Sequence, residues 1–414
     1  MRRALLTLHA LAIILFLLQG CASLDRLNAV PRQDTIRAEI PGIPNARFWV
    51  DADLTPMVQE MHVAIEREQA TWIQDKQKAP LPPANFLTVS GGGDDGAFGA
   101  GLLVGWTQTG TRPSFKLVTG VSTGALIAPF AFLGSEYDET LRAVYTQVSP
   151  NSIAVPRSLL AALTSDALAD NQPLFALISQ YFTPELLARI AGEYRKGRLL
   201  LIGTTNLDAR RPVVWNMGAI AAAAQNNPQA VDLFRHILLA SAAIPGEFPP
   251  VMFNVEVDGK PYQEMHVDGG AMRQLFLYPM NLSDTARQEH ITLFVKRQRN
   301  AYIIRNARLD PDWASVERST LNIAGRAISS LIQTQGIGDL YRLYLEALKD
   351  GLDFNLAYIG ADFNAEHKEN FDTTYMRALF DYGYQLGRKG YPWQKAPPEL
   401  GTAPAISTAA ARLR

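Results

Sequence analysis

The residues best suited to chemistry lie in the stretch 116–124, KLVTGVSTG. Its centre is Gly120-Val121-Ser122-Thr123-Gly124, preceded by the apolar Leu117 and Val118 and followed by a small, apolar stretch, 125–133. Strand, sharp turn and helix in that order, with serine at the apex, is an arrangement that exposes a hydroxyl as a nucleophile. The turn forces strained backbone angles on the serine. Side chains larger than hydrogen two residues to either side would clash, hence Gly120 and Gly124. The hydroxyl then sits at the carboxyl end of a strand and the amino end of a helix, whose dipole favours a developing negative charge. An ordinary glycine-bounded turn reads the same way locally, so the remainder of the chain decides between the two.

Two further glycine clusters bear on that choice. The first follows a short apolar strand, 85–89, and runs Ser90-Gly91-Gly92-Gly93-Asp94-Asp95-Gly96 before a helix over 97–108. Glycines between strand and helix let consecutive N–H groups turn outward toward an anion. An oxyanion hole and a phosphate cradle both use this device. No Gly-Lys-Ser/Thr follows, and two aspartates would repel phosphate, which favours the oxyanion. The second cluster is Asp268-Gly269-Gly270. It ends a β-hairpin in which 251–257 and 262–267 flank the turn Asp258-Gly259. Asp268 is thereby put at a strand's end, beside glycines that allow another loop to approach.

A glycine-rich turn opening a helix, then G-x-S-x-G, then a distant Asp-Gly-Gly together resemble the patatin-like phospholipases. The similarity covers roughly 86–295, including Leu239-Ala240-Ser241-Ala242-Ala243-Ile244-Pro245 and Phe248-Pro249-Pro250. The resemblance implies an oxyanion loop of Gly91, Gly92 and Gly93, Ser122 as nucleophile and Asp268 as its base. It implies no catalytic histidine and no cofactor. Two positions depart from the family: Ser90 stands where aspartate is frequent, and Asp95 where arginine is frequent. Losing that arginine bears on positive charge near the oxyanion, not on the backbone donors. The implied activity is hydrolysis of lipid acyl esters, of phospholipase A or lysophospholipase type. Two alternatives stay open. The order Ser…Asp…His permits a triad of Ser122, Asp268 and His290. A non-catalytic lipoprotein that binds lipid or a partner is the other.

The amino terminus reads as a signal. Met1-Arg2-Arg3 is a charged n-region, 4–18 an apolar h-region, and Leu18-Gln19-Gly20-Cys21 follows at once. The segment resembles a bacterial lipoprotein signal with its lipobox. That implies cleavage after residue 20 and lipid attachment, palmitate included, at Cys21, the chain's one cysteine. The apolar run is short for a spanning helix, which needs about 20 residues. Ala22, rather than aspartate, resembles the pattern sorted to the outer membrane, facing the periplasm. The stretch 21–44, polar and broken by prolines, reads as a tether.

The elements that position these residues follow from periodicity. A first strand is expected at 46–50 and a helix at 57–74. Beyond the elbow, helices are expected at 136–148, 184–194, 230–242, 313–332, 340–348 and 373–387. Strands are expected at 199–205, 212–215, 291–295 and 354–359. The apolar stretch 151–182 could cover an acyl pocket or pack as core. Strands alternating with helices specify a mostly parallel sheet covered on both faces, with an antiparallel hairpin added. This agrees with the three-layer α/β/α sandwich that the resemblance implies, over a domain 45–394, with a loose tail at 395–414. With 39 basic and 40 acidic residues and no basic block, nucleic acid is not an expected partner. One cysteine and six scattered histidines without ligand spacing give no expected metal site. The expected partners are a lipid or phospholipid substrate and a membrane held through Cys21.

Overall fold

The computed structural model describes residues 26–76, 80–157, 165–293, 295–311, 313, 315–398 and 400. The signal segment with Cys21, and the tail from 401 on, lie outside the described residues. The helices are α1 (Thr55–Gln74), α2 (Gly96–Thr107), α3 (Thr123–Leu133), α4 (Asp138–Thr146), α5 (Gln172–Tyr181), α6 (Pro184–Arg195), α7 (Met217–Ala223), α8 (Gln229–Ser241), α9 (Leu282–Gln288), α10 (Thr320–Asp350) and α11 (Thr373–Arg388). The strands are β1 (Arg47–Trp49), β2 (Ala84–Val89), β3 (Leu117–Gly120), β4 (Val155–Pro156), β5 (Ala169–Asp170), β6 (Leu199–Asn206), β7 (Arg211–Asn216), β8 (Val251–Val257), β9 (Lys260–Asp268), β10 (Arg299–Arg305) and β11 (Asp353–Tyr358).

The main sheet runs β1-β7-β6-β3-β2-β10-β11. From β6 to β11 every neighbouring pair is parallel, while β7 and β1 extend it in antiparallel fashion. All eight residues of β6 and all four of β3 are buried, as expected of strands covered on both faces. Side chains alternate between two cores. Leu200 and Ile202 enter the one that holds α2, α3, α8 and α11. Leu199 and Leu201 enter the one that holds α1, α9 and the carboxyl half of α10. The three-layer α/β/α arrangement read from the sequence is the observed one. The hairpin turn is also as read: Asp258 and Gly259 have φ of 50° and 73°, the pair of positive angles a primed turn needs.

Three expectations are corrected. The apolar run 291–295 forms no strand among its described residues. The strand is β10, whose sequence RNAYIIR opens on polar residues. Those residues are used in pairing: Asn300 Nδ2 donates to Asn85 Oδ1 (2.8 Å) across the β10–β2 ladder. The helices expected at 313–332 and 340–348 are one, α10, begun by Ser319, whose side chain accepts from Asn322 N. Gly336 and Gly338 do not break it; the Arg305 guanidinium packs against Gly336. Lastly, the tether from Arg26 on lies against the β8–β9 hairpin. Arg26 forks onto Asp208 (2.9 and 2.8 Å) and reaches Gln263 O, Glu39 pairs with Glu256, and Val30, Ile40 and Ile43 are buried. Apolar side chains at irregular spacing bury there on either side of a 3₁₀ helix, Arg32–Arg37, that buries none of its own.

Candidate active site

Sheet register puts the serine beside the aspartate. β3 ends at Gly120, opposite Ile202 of β6. The chain then turns through Ser122 into α3 and vacates that edge of β6. β9 occupies the vacated edge, with Asp268 opposite Thr204 and His266 opposite Asn206. Ser122 and Thr204 are each two residues past the last β3–β6 pair, so Asp268 arrives level with Ser122.

Ser122 has φ 56° and ψ −128°, a conformation that costs a side-chain-bearing residue about 1–3 kcal/mol. Its surroundings hold it there. Ser122 N donates to Ser241 Oγ (3.0 Å), and Ser241 Oγ donates to Gly203 O (2.7 Å) on β6. A Cβ on Gly124 would run into the carbonyls of Val89 and Ser90, and one on Gly120 into that of Gly124. The two glycines of the elbow are therefore required by close backbone approach.

Asp268 is buried, 5% exposed, like Ser122. Burial pushes its carboxyl up to about 7, against the hydrogen bonds from Ser122 and Gly270 N that favour the anion. Gly270 N donates to its Oδ1 at 2.7 Å. Serine–base contacts are often loose until a substrate draws the two together.

The glycine loop faces the same point. A Cβ on Gly91 would lie 3.0 Å from Ser122 Cβ. Ser90 N is tied to Ile304 O and Asp95 N to Gly92 O. Between them, none of the N–H groups of Gly91, Gly92 and Gly93 donates to a main-chain carbonyl among the described residues. They are donors without acceptors beside a buried hydroxyl. Asp94 and Asp95 are bound elsewhere: Asp94 accepts from His367 Nε2 (2.7 Å) and Phe371 N (2.9 Å), and Asp95 from Tyr375 OH (2.6 Å).

Neither histidine near the site in sequence is placed as a base. His266 is fully buried, with Nδ1 at 2.9 Å from Thr204 Oγ1 and Nε2 at 3.2 Å from Glu264 Oε2. Both nitrogens are engaged away from Ser122. Burial lowers its pKa despite Glu264. Burial would raise the Glu264 carboxyl, but its pairing with Arg47 and His266 holds it at about 2. His290 is exposed, in the segment that leads to the amino end of β10. Ser122 lies at the opposite, carboxyl edge.

Several residues that serve the site have no local signature. Asn306, just past β10 and fully buried, clamps the glycine loop. Its N donates to Ser90 Oγ (2.8 Å), its Nδ2 to Ser90 O (2.9 Å), and its Oδ1 accepts from Gly99 N (3.0 Å). The Gln274 side chain lies between the two catalytic-edge loops, 2.5 Å from where a Gly91 Cβ would stand. Gln274 N and Leu275 N donate to Asp339 Oδ2 on α10, at 2.7 and 3.4 Å. A signal for Asn306 would have been its position at the carboxyl end of a central strand, had β10 been recognised. Asn306→Ala is expected to remove the two bonds its side chain makes, to Ser90 O and from Gly99 N, and to destabilise the fold by about 2–4 kcal/mol. Thermal unfolding checks this, and turnover of the folded fraction should fall as the loop loosens.

The stretch 151–182 packs in good part as core: Ile153, Ala169, Leu174, Ile178 and Phe182 are buried. β4 and β5 form a small hairpin. Leu168 N and Ala169 N donate to Gly246 O and Glu247 O, in the loop just after Ala243, whose carbonyl accepts from Asp268 N. Residues 158–164 lie outside the described residues.

Residues 87–280 match the family model described as Patatin-like phospholipase. No curated protein matches the chain in sequence. Among solved structures the chain is similar to VipD from Legionella pneumophila at 12% identity and a TM-score of 0.32, over 74% of this chain and 67% of that one. It is also similar to the complex of full-length SpcU with full-length ExoU from the type III secretion system of Pseudomonas aeruginosa. That match has 13% identity and a TM-score of 0.29, over 74% of this chain and 52% of that one, about half its length.

Proposed function

We propose, from the premise that residues 87–280 form a patatin-like phospholipase domain, that the chain is a serine acyl hydrolase of lipid esters working through Ser122 and Asp268. The observation that carries the reading is a strained, buried serine level with a buried aspartate of raised pKa, beneath three unengaged loop amides. Ser122 Oγ attacks the ester carbonyl and its proton passes to Asp268. The carbonyl electrons move to oxygen, which accepts from the amides of Gly91, Gly92 and Gly93. Collapse of this intermediate expels the alcohol, which takes the proton from Asp268. Water then attacks the acyl-serine, giving a proton to Asp268, and as the carboxylic acid leaves Asp268 returns that proton to Ser122 Oγ. Each oxyanion donor contributes about 3 kcal/mol to the transition state. The chemistry calls for no cofactor. The favoured substrates are phospholipids or lysophospholipids, cleaved in phospholipase A or lysophospholipase fashion.

The test is turnover of a short-chain nitrophenyl ester and of phospholipid vesicles by wild type and Ser122→Ala. The wild type should hydrolyse both, and Ser122→Ala should fall by at least ~1000-fold on each. Equal rates would remove Ser122 from the chemistry.

The same reading places the chain at the cell envelope, as a lipoprotein of the outer membrane facing the periplasm. Cys21 in the lipobox and Ala22 after it support this. Cys21→Ser is expected to abolish incorporation of labelled palmitate and to leave the signal segment uncut. Undiminished labelling would reject the anchor.

A further inference from the structure

α10 is far longer than the strands it serves. Its 31 residues span about 46 Å, whereas the six residues of β11, into which it feeds, span about 20 Å. The helix runs antiparallel to the sheet's parallel strands, so its carboxyl end lies at their amino edge. Gly336 already packs on Arg305, the last residue of β10 at the carboxyl edge. Residues 320–335 therefore continue about 24 Å past the edge where Ser122 and Asp268 lie.

That overhang is amphipathic and its apolar side is bare. Over 322–333, an arc of the circumference carries Ile323, Ala324, Ala327, Ile328 and Leu331, and the remainder Asn322, Arg326, Ser329 and Gln333, with Ile332 at the border. Gln333 turns inward: its Nε2 donates to Asp310 O and its carbonyl accepts from Arg305 Nη2. Ile323 and Leu331 are 54% and 70% exposed, and Trp313, just before the helix, 87%. Among the described residues no helix is long and apolar enough to cross a membrane. An exposed apolar arc on a helix too polar to span a bilayer suits a water–lipid interface.

The start of the described chain gives the orientation. Arg26 is fixed to Asp208, two residues past the carboxyl end of β6. The amino-terminal chain thus leaves from the same edge as the dyad and the α10 overhang. Cys21 is five residues further along the chain.

We propose that the exposed arc of the amino half of α10, with Trp313, is a bilayer-docking surface that holds the chain on a phospholipid membrane beside the carboxyl edge at which Ser122 lies. This deepens the ester-hydrolase reading and rests on it for the substrate. The occupant is lipid: the exposed arc is apolar, the exposed Trp313 precedes the helix by seven residues, and the described chain begins, five residues after Cys21, at the edge past which α10 projects.

The test uses the full chain with Ser122→Ala for binding and with Ser122 intact for turnover. The probe is vesicles of phosphatidylethanolamine and phosphatidylglycerol, with brominated acyl chains for quenching. Brominated vesicles should quench tryptophan emission, and Trp313→Phe should remove most of that quenching, since Trp49, Trp106 and Trp215 are buried, Trp393 is half-buried against Trp106, and Trp72 is half-buried in the last turn of α1. Ile323→Ser with Leu331→Ser should slow vesicle hydrolysis about tenfold while leaving the dissolved nitrophenyl ester unaffected. Quenching that survives Trp313→Phe, or vesicle hydrolysis unchanged in the double variant, overturns the proposal. So does a wild-type dimer that the double variant returns to monomer, since the surface would then join two copies. If the wild type hydrolyses neither substrate, the ester-hydrolase reading fails, and the quenching result still decides the docking.

Discussion

Asp268→Asn is expected to lower turnover by at least ~100-fold and, in the same protein, to raise the melting temperature at pH 8. Both effects have one cause. The carboxyl is pushed up to about 7 by burial, from an ordinary value of 3.8. A base must be ionised, so turnover of the wild type should rise with pH through about 7 and level off above it. The fold, however, favours the protonated form. The stabilisation from Asp268 is whole below 3.8 and is lost as pH climbs through about 7. Above that, the folded protein carries a buried anion that costs up to ~4 kcal/mol relative to an unperturbed group. Asparagine keeps the shape and never ionises, so its advantage is largest at pH 8 and shrinks toward pH 4. Thermal melts across that range and steady-state kinetics on a dissolved ester measure the two arms. His290→Ala should leave turnover intact, and His266→Ala should cost stability by uncovering Glu264 and Thr204. Loss of turnover in a folded His290→Ala protein, with Asp268→Asn still active, would mean a histidine does the work.

Gly92→Ala should cut turnover by about 100- to 1000-fold with little change in KM, while Gly93→Ala should cost far less. The two positions are adjacent and differ in space. Gly92 has φ 152°, and a Cβ there would collide with the Asn306 carbonyl, so the loop must shift and its amides lose their aim. Gly93 has φ 58° with nothing within 4 Å of an added Cβ. Alanine at 93 meets only the left-handed penalty, about 1 kcal/mol. The donors meet negative charge only as it develops, which is why kcat and not KM should carry the loss. A pure rise in KM for Gly92→Ala would make the loop a binding element alone. Thermal melts of both variants separate misfolding from misalignment.

The contrast between those glycines marks what the sequence could and could not reveal. Gly120, Ser122 and Gly124 were legible because an elbow is a local shape, set by residues two apart. Asp268 was legible because a hairpin with a primed turn announces the strand that ends on it. Asn306 was not: its three bonds reach residues more than two hundred positions away. The strand before it hides its β character behind Arg299 and Asn300, while the more apolar 291–295 attracts the assignment. Helix α10 reads as two segments because glycine lowers helix propensity, but Gly336 is where Arg305 needs room. Tertiary contact overrode local preference in each case.

Strand β6 serves as a common ruler for both halves of the site. Ser122 is measured off it through β3, and Asp268 through β9, although 146 positions separate them in the chain. Errors against such a ruler are quantised. Removing one residue between the hairpin turn and Asp268 does not displace the carboxylate by a fraction of an ångström; it sends it to the far face of the sheet. The molecule therefore has no gradual route from active to slightly misaligned along this coordinate. Alterations in the length of β9 should behave as an on–off digit, whereas alterations in the glycine loop should grade activity continuously.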